Sequence, residues 1–266
     1  MDRSALELGL WVAGLVRPRL YPILALRYQR KGPCGLPKGQ VSMRSDDKHI
    51  RARAAQIVPA TQRRVAVPDD VAVLTRAERF AGFFAVEEQG LRFRRFDGTL
   101  SDPVNREAFV SGDAVTVLPY DPVRDRVLLI EQFRVGPHLR GDANPWQLEA
   151  IAGRIDDGET AEATAIREAQ EEAGIEITRL LPIAGYYPTP GAVTEFLYSY
   201  LALVDLPDSA IGTFGLASES EDIRVHLVSF EQLMALCASG EVGNAPTLLS
   251  ALWLARERPT LRAAAI

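Results

Sequence analysis

The sequence predicts a protein that mixes strands and helices, α/β or α+β, and three observations carry that expectation. Short β-branched and apolar runs recur from residue 81 onward, one segment of strong helix chemistry at 160–173 interrupts them, and two further helical segments close the chain. Taken in order, residues 81–86, 91–96 and 106–110 read as strands of an antiparallel meander, separated by 87–90 and 97–103, both rich in turn formers. Residues 114–118 and 127–133 pair as a hairpin, because Asp121-Pro122-Val123-Arg124-Asp125 between them favours a reversal. Residues 146–152 follow as another apolar strand. The period then changes: 160–173 is rich in Ala, Glu, Arg and Gln without Gly or Pro, and Gly174 stands where a C-terminal cap is wanted. Strand signals resume at 180–185, 195–204 and 223–229. Helices at 230–239 and 247–257 end the pattern, the second started by Pro246 near its first turn.

At 266 residues the chain exceeds the common domain size of ~100–150, so one large domain or a domain with an appendage is expected. A hydrophobic content of 47% with 24% charged residues excludes a disordered or fibrous chain. Two cysteines, Cys34 and Cys237, build neither a disulfide framework nor a thiolate zinc site, and His49, His138 and His226 form no ligand cluster. No apolar run approaches the ~18 residues of a membrane span. Residues 8–16 are apolar but lack the basic start and small-residue cleavage site of a secretory signal, so the expected location is the cytoplasm. Charge divides the chain: residues 1–65 hold 13 Lys/Arg against 4 Asp/Glu, a net +9, and the rest 17 against 31, a net −14. The basic part reads as an extension of unknown role. Trp11, Tyr21 and Tyr28 precede its Arg/Lys cluster rather than interleave with it, so a nucleic-acid partner is not expected.

The chemistry concentrates at 153–175. Glu168, Glu171 and Glu172 at i, i+3 and i+4 share one helix face, where like charges repel. A solvated acidic face tolerates that, but three carboxylates also supply the hard oxygen donors that Mg²⁺ takes when a substrate brings phosphates. The frame around them decides between the two. Gly153, five residues, Glu159, seven residues, Arg167-Glu168, then Glu171-Glu172, Gly174 and Ile175 resemble the Nudix box, G-x5-E-x7-R-E-U-x-E-E-x-G-U, with U a bulky aliphatic. One position departs, Ala169, which suggests a helix lying closer to its sheet.

The resemblance extends from about residue 77 to the last helix, through RFAGFFAVEEQGLRFRRFDG, REAFVSGDAVTVLPYDPVRDRVLLIEQFRVG, YYPTPGAVTE and GLASESEDIRVHLVS. These segments look like the ADP-ribose pyrophosphatase branch of Nudix hydrolases. That implies a Nudix α/β/α sandwich with a mixed sheet over 111–266, preceded at 66–110 by a β-meander that joins two copies into a homodimer with shared active sites. It also implies hydrolysis of ADP-ribose to AMP and ribose 5-phosphate with two or three Mg²⁺, for which Mn²⁺ can substitute. By the same resemblance the metal ligands are Glu168, Glu172, Glu221 and the backbone carbonyl of Ala152. Glu219 is the general base, Glu171 lies beside the ligands as one of them or as their support, and Arg167 with Glu159 holds loop and helix together. Substrate contacts fall to Phe83 (adenine stacking), Arg106 and Arg134 (phosphate or ribose), Gly153, Pro190 (the marker of ADP-ribose preference) and Glu195 (terminal ribose or the active-site water). The family's loop is usually PGG-[ST]-E, and Ala192 and Val193 depart from it. Two alternatives stand beside this reading: a broader nucleoside-diphosphate-sugar hydrolase acting on species such as GDP-mannose, and a non-catalytic nucleotide-binding Nudix module.

Overall fold

The computed structural model describes residue 61 and residues 63–265, so most of the expected extension at 1–65 lies outside the described residues. Three antiparallel strands come first: β1 (Val71–Ala81), β2 (Ala85–Phe93) and β3 (Val104–Val110), in the order β1-β2-β3. The expected turn at 87–90 is instead the middle of β2, and the reversal falls at residues 82–84. Cross-strand charge explains the difference. Arg76 pairs with Glu87 at 2.7 Å and Arg79 with Glu88 at 2.9 Å, so glutamates that read as turn residues reach arginines diagonally across the strand pair. Gly90 belongs to the strand as well: a Cβ there would sit 2.4 Å from the Thr75 hydroxyl, beside a register shift between Val73 and Thr75. The expected strand at 91–96 likewise stops at Phe93, beyond which a lone bridge joins Arg94 to Leu100.

The rest forms an eight-stranded mixed sheet between helices. Its elements are β4 (Ala114–Asp121), β5 (Arg126–Phe133), α1 (Val135–Arg140), β6 (Trp146–Glu149), β7 (Ile151–Arg154), α2 (Ala161–Ala173), β8 (Arg179–Tyr186), β9 (Leu197–Leu203), β10 (Thr213–Phe214), β11 (Ile223–Ser229), α3 (Phe230–Ser239) and α4 (Ala245–Ala263). The strand order is β10-β11-β5-β4-β9-β8, with β6 on β5 and β7 on β4, and the β4–β9 pair is parallel. Alternation along the central strands sets the layers. Val115, Val117, Leu128 and Ile130 pack with the alanines of α2, whereas Leu118, Tyr120, Val127 and Leu129 pack with Leu233 of α3 and Ala251 and Leu254 of α4. The architecture is the expected α/β/α sandwich with a separate antiparallel sheet.

Three further elements differ from expectation. The strand foreseen at 146–152 is two strands with different partners, parted at Ala150, whose N–H donates to the Thr247 hydroxyl of α4 at 2.8 Å. Residues 135–140, to which the sequence pattern assigns no element, form α1 across Gly136 and Pro137, ending at Gly141 with φ 84°. Helix α4 starts two residues before the expected 247, where the Asn244 side chain accepts from the Thr247 N–H at 3.1 Å. It continues past Pro259 to residue 263, where Arg258 and Arg262 both pair with Asp125 in the β4–β5 turn.

Candidate active site

Helix α2 is seated by its alanines. Ala161, Ala165, Ala169 and Ala173, each four residues apart, are buried against the sheet, and Ala169 is fully buried as its departure from the box pattern suggests. Thr160 caps the helix by accepting from the Ala163 N–H at 3.1 Å, and Gly174 ends it at φ 62°. The small inner face brings the next stripe of side chains, Glu168 and Glu172, down beside the sheet, where they retain 9% and 2% of their exposure. Gly153 on β7 makes room for them: a Cβ there would lie 1.8 Å from Glu168 Oε1. Glycine is required by that close approach.

Charge at the site is unevenly compensated. Arg167 donates to Glu159 from Nε and Nη2, both at 3.1 Å, and its Nη1 donates to Glu168 at 2.8 Å and to Glu171 at 2.9 Å. These bonds, that to Glu159 foremost, raise the guanidinium above its ordinary range, and hold the Glu159 carboxyl down to about 2. Burial pushes Glu168 up to about 7 despite Arg167, with Glu171 and Glu221 adding repulsion. Burial likewise pushes Glu172 up to about 8; the Ala152 N–H, donating at 3.0 Å, and Arg134 oppose the rise, and Glu168 and Glu221 add to it.

Glu221 reaches this field because its loop is clamped onto the end of α2. The Phe214 ring fills the space beside two glycines: a Cβ would approach it to 2.7 Å at Gly174 and 2.8 Å at Gly212. Gly215, at φ 104°, donates its N–H to the Glu171 carbonyl at 3.3 Å, and a Cβ on it would meet Glu221 Cβ at 2.8 Å. The Glu221 carboxylate then accepts from the Leu216 N–H at 3.1 Å. Glu219 ends the 3₁₀ turn Ala217–Glu219 and is exposed, followed by Ser220 at φ 60°. Among the described residues no three carboxylate, imidazole or thiolate side chains form a ready-made metal cage. The box carboxylates share one electrostatic field while Arg167 and the Ala152 N–H occupy part of their oxygens.

A second group gathers on the other side of β7. Phe83 lies in the β1–β2 turn at 62% exposure, which excludes a core role, and its ring meets Phe84 edge-on at 4.8 Å. The loop holding exposed Pro190 is tied to β3: Phe109 N–H donates to Ala192 O at 2.7 Å, and Thr194 N–H to Phe109 O at 3.1 Å. Glu195, at the end of that loop, has its carboxyl raised by burial, with Arg154 opposing and Asp113 adding to the rise. Arg134, just past β5, belongs instead with the α2 carboxylates, since it acts on Glu172, and it donates to Glu149 at 2.7 Å. Arg106 is exposed on β3 and donates to the carbonyl of its neighbour Asn105 at 2.9 Å.

The profile of the NUDIX domain matches residues 110–249. The chain belongs to the Nudix family. It is 40% identical over 194 residues to an ADP-ribose pyrophosphatase of Escherichia coli (strain K12), a match covering 73% of this chain and 92% of that relative. An ADP-ribose pyrophosphatase of Haemophilus influenzae is 36% identical, over 70% of this chain and 86% of its own length. A GDP-mannose pyrophosphatase of Yersinia pestis (strain Pestoides F) is 35% identical, over 54% and 71% respectively. Among solved structures, one described as an ADP compounds hydrolase superposes with a TM-score of 0.56 at 23% identity, covering 73% of this chain and 97% of that one, a likeness of fold.

In this Nudix hydrolase the predicted residues therefore fall into two groups. Glu168, Glu171, Glu172, Glu221, Arg167, Arg134, Gly153 and Ala152 are linked around α2 by contact or by field. Phe83 and Glu195 are linked through Arg154, which sequence reasoning passed over, as it did Asp113. Strand alternation holds the signal for Arg154: it follows Gly153, whose missing Cβ faces α2, so its own side chain leaves by the opposite face. Glu219 and Arg106 stand at exposed positions.

Proposed function

We propose that this Nudix hydrolase cleaves the diphosphate linkage of ADP-ribose, giving AMP and ribose 5-phosphate. The observation that carries the chemistry is the carboxylate set of buried Glu168 and Glu172 with part-buried Glu221, whose members repel one another. Isolated buried carboxylates are costly, and a site of hard oxygen donors carrying excess negative charge fits divalent Mg²⁺. Glu168, Glu172, Glu221 and the Ala152 carbonyl would hold two or three such ions, or Mn²⁺ in their place. Bound there, the metal supplies charge neutralisation at the diphosphate oxygens and a lower pKa for water.

The chain's own residues supply the rest. Glu219, exposed at its turn, would accept the proton of the attacking water. Arg167 fixes the rotamers of Glu168 and Glu171, so the carboxylates are oriented before substrate arrives. Arg134 offers a guanidinium to phosphate oxygens, and Gly153 keeps the floor of the site low. Phe83 stacks on the adenine, Arg106 contacts phosphate or ribose, and the loop from Pro190 to Glu195 receives the terminal ribose.

ADP-ribose is favoured because the relatives named for it share the higher identity over the greater length. The relative named for GDP-mannose keeps a broader nucleoside-diphosphate-sugar range as the second reading. We also propose a homodimer. Val71, Val73, Leu74 and Phe80 of β1 are each more than half exposed, an apolar strand that a second copy would cover. AMP release from ADP-ribose, measured with and without Mg²⁺ beside GDP-mannose, ADP-glucose, NADH and diadenosine polyphosphates, tests the function. Mg²⁺-dependent turnover favouring ADP-ribose is expected. Preference for another diphosphate would move the substrate, and no turnover of any would leave a binding module.

A further inference from the structure

Arg154 has no place in the box pattern, yet it stands where three parts of the site meet. Its backbone carbonyl accepts from Arg167 Nη2 at 3.3 Å, which joins it to the ion-pair cluster of α2. Its side chain leaves by the face opposite Glu168 and lays the guanidinium over the Phe83 ring at 5.1 Å and the Phe84 ring at 5.8 Å. The same cation acts on the half-buried Glu195 carboxylate, beside the like-charged and buried Asp113. Phe84 in turn packs on Phe109 at 4.6 Å, and Phe109 is the residue to which the 190–195 loop is hydrogen-bonded.

We propose that Arg154 is a positioning residue, which couples the β1–β2 turn at Phe83 and the loop at Glu195 to the box, and so fixes the distance from the base-binding and sugar-binding ends to the carboxylates. This rests on the proposed function for the substrate roles of Phe83 and Glu195; the coupling itself rests on the Arg154 stack over Phe83 and Phe84, the Phe84–Phe109 ring contact and the hydrogen bonds between Phe109 and the 190–195 loop. A guanidinium suits the task because it is planar, stacks on aromatic faces and keeps its charge at any working pH. Two segments tied to one guanidinium through these contacts lose less freedom when substrate binds, so the effect belongs to binding more than to the chemical step.

The test is a set of variants in the full-length protein. Arg154→Met keeps length and removes charge; it is expected to raise KM for ADP-ribose about three- to tenfold, more than it lowers kcat. Arg154→Lys keeps the charge without the planar stack and should recover only part of the loss. Phe83→Leu, which also removes the adenine stack, should raise KM by a smaller factor in the Arg154→Met background than in the wild type, because the cation no longer holds the ring in place. Should Arg154→Met not fold, Arg154→Gln is read in the same way. An unchanged KM, or effects of Phe83→Leu and Arg154→Met that simply multiply, would overturn the proposal. If the wild-type protein does not hydrolyse ADP-ribose, the substrate reading fails and hydrogen exchange decides the coupling. The Gly82 N–H, bonded to Phe84 O at 2.7 Å, and the Thr194 N–H should both exchange several-fold faster in Arg154→Met. Exchange at wild-type rates would refute it.

Discussion

Two pairs of adjacent glutamates meet opposite fates in this protein. Glu87-Glu88 lies in β2, where Arg76 and Arg79 stand across the strand, and the Arg79 hydrogen bond holds the Glu88 carboxyl below its ordinary value. Glu171-Glu172 lies in α2. There Glu171 takes a share of Arg167, while Glu172 is buried with a backbone N–H as its hydrogen-bond donor and has its carboxyl pushed up to about 8. Each member of the first pair has an arginine of its own chain as its partner. The second is under-compensated by its own chain, and that is the property a cation site has before the cation is counted.

The comparison can be broken from its catalytic side first. Glu168→Gln or Glu172→Gln removes one unit of the excess charge, and kcat is expected to fall by several orders of magnitude while circular dichroism still reports a folded protein. Near-full turnover at saturating Mg²⁺ would show that the metal assignment is wrong. Glu219→Gln should cost roughly 10²–10⁴ in kcat, the range for a lost general base, with Mg²⁺ affinity retained. Calorimetry of Mg²⁺ binding beside steady-state kinetics separates those two effects. Gly153→Ala inserts a Cβ into the place of the Glu168 carboxylate, so kcat should drop by more than tenfold. An unaffected rate would mean that Glu168 need not lie where it does.

The pH dependence sharpens the same contrast. Glu168 and Glu172 bind protons more tightly in the folded chain than in the unfolded one, so their contribution favours folding at low pH. It is lost as pH rises from the ordinary carboxylate value of 4.5 through about 7 and 8. The chain stripped of divalent ions should therefore become less resistant to urea across that window, and Mg²⁺ should flatten the slope by binding the ionised form. At the small end, Glu88→Gln breaks an exposed, matched pair and should leave the melting temperature almost unchanged. A large shift there would erase the distinction between the two pairs.

Much of this site was legible in the sequence because its requirements are local. A helix with carboxylates at i, i+3 and i+4, a glycine that makes room and a glycine that ends the helix all lie within 23 residues of chain, 153 to 175. The central strands were legible as apolar runs, while their place between two helical layers came from the family resemblance. What escaped was decided at a distance. Glu87 and Glu88 read as turn residues until Arg76 and Arg79 lie beside them. The break at Ala150 answers to Thr247, and the run of α4 past Pro259 meets Asp125, both far away in sequence. Arg154 escaped because its partners come from the β1–β2 turn and the 190–195 loop, which only the fold brings together.

The central claim is that the under-compensated carboxylates of α2 and the Glu221 loop need a divalent cation to hydrolyse a nucleoside diphosphate sugar. The most direct measurement follows ADP-ribose turnover by the full-length protein, first stripped of metal with EDTA and then titrated with Mg²⁺. No turnover in EDTA, with AMP release restored as Mg²⁺ is added, is the predicted result. Turnover that persists in EDTA would contradict it.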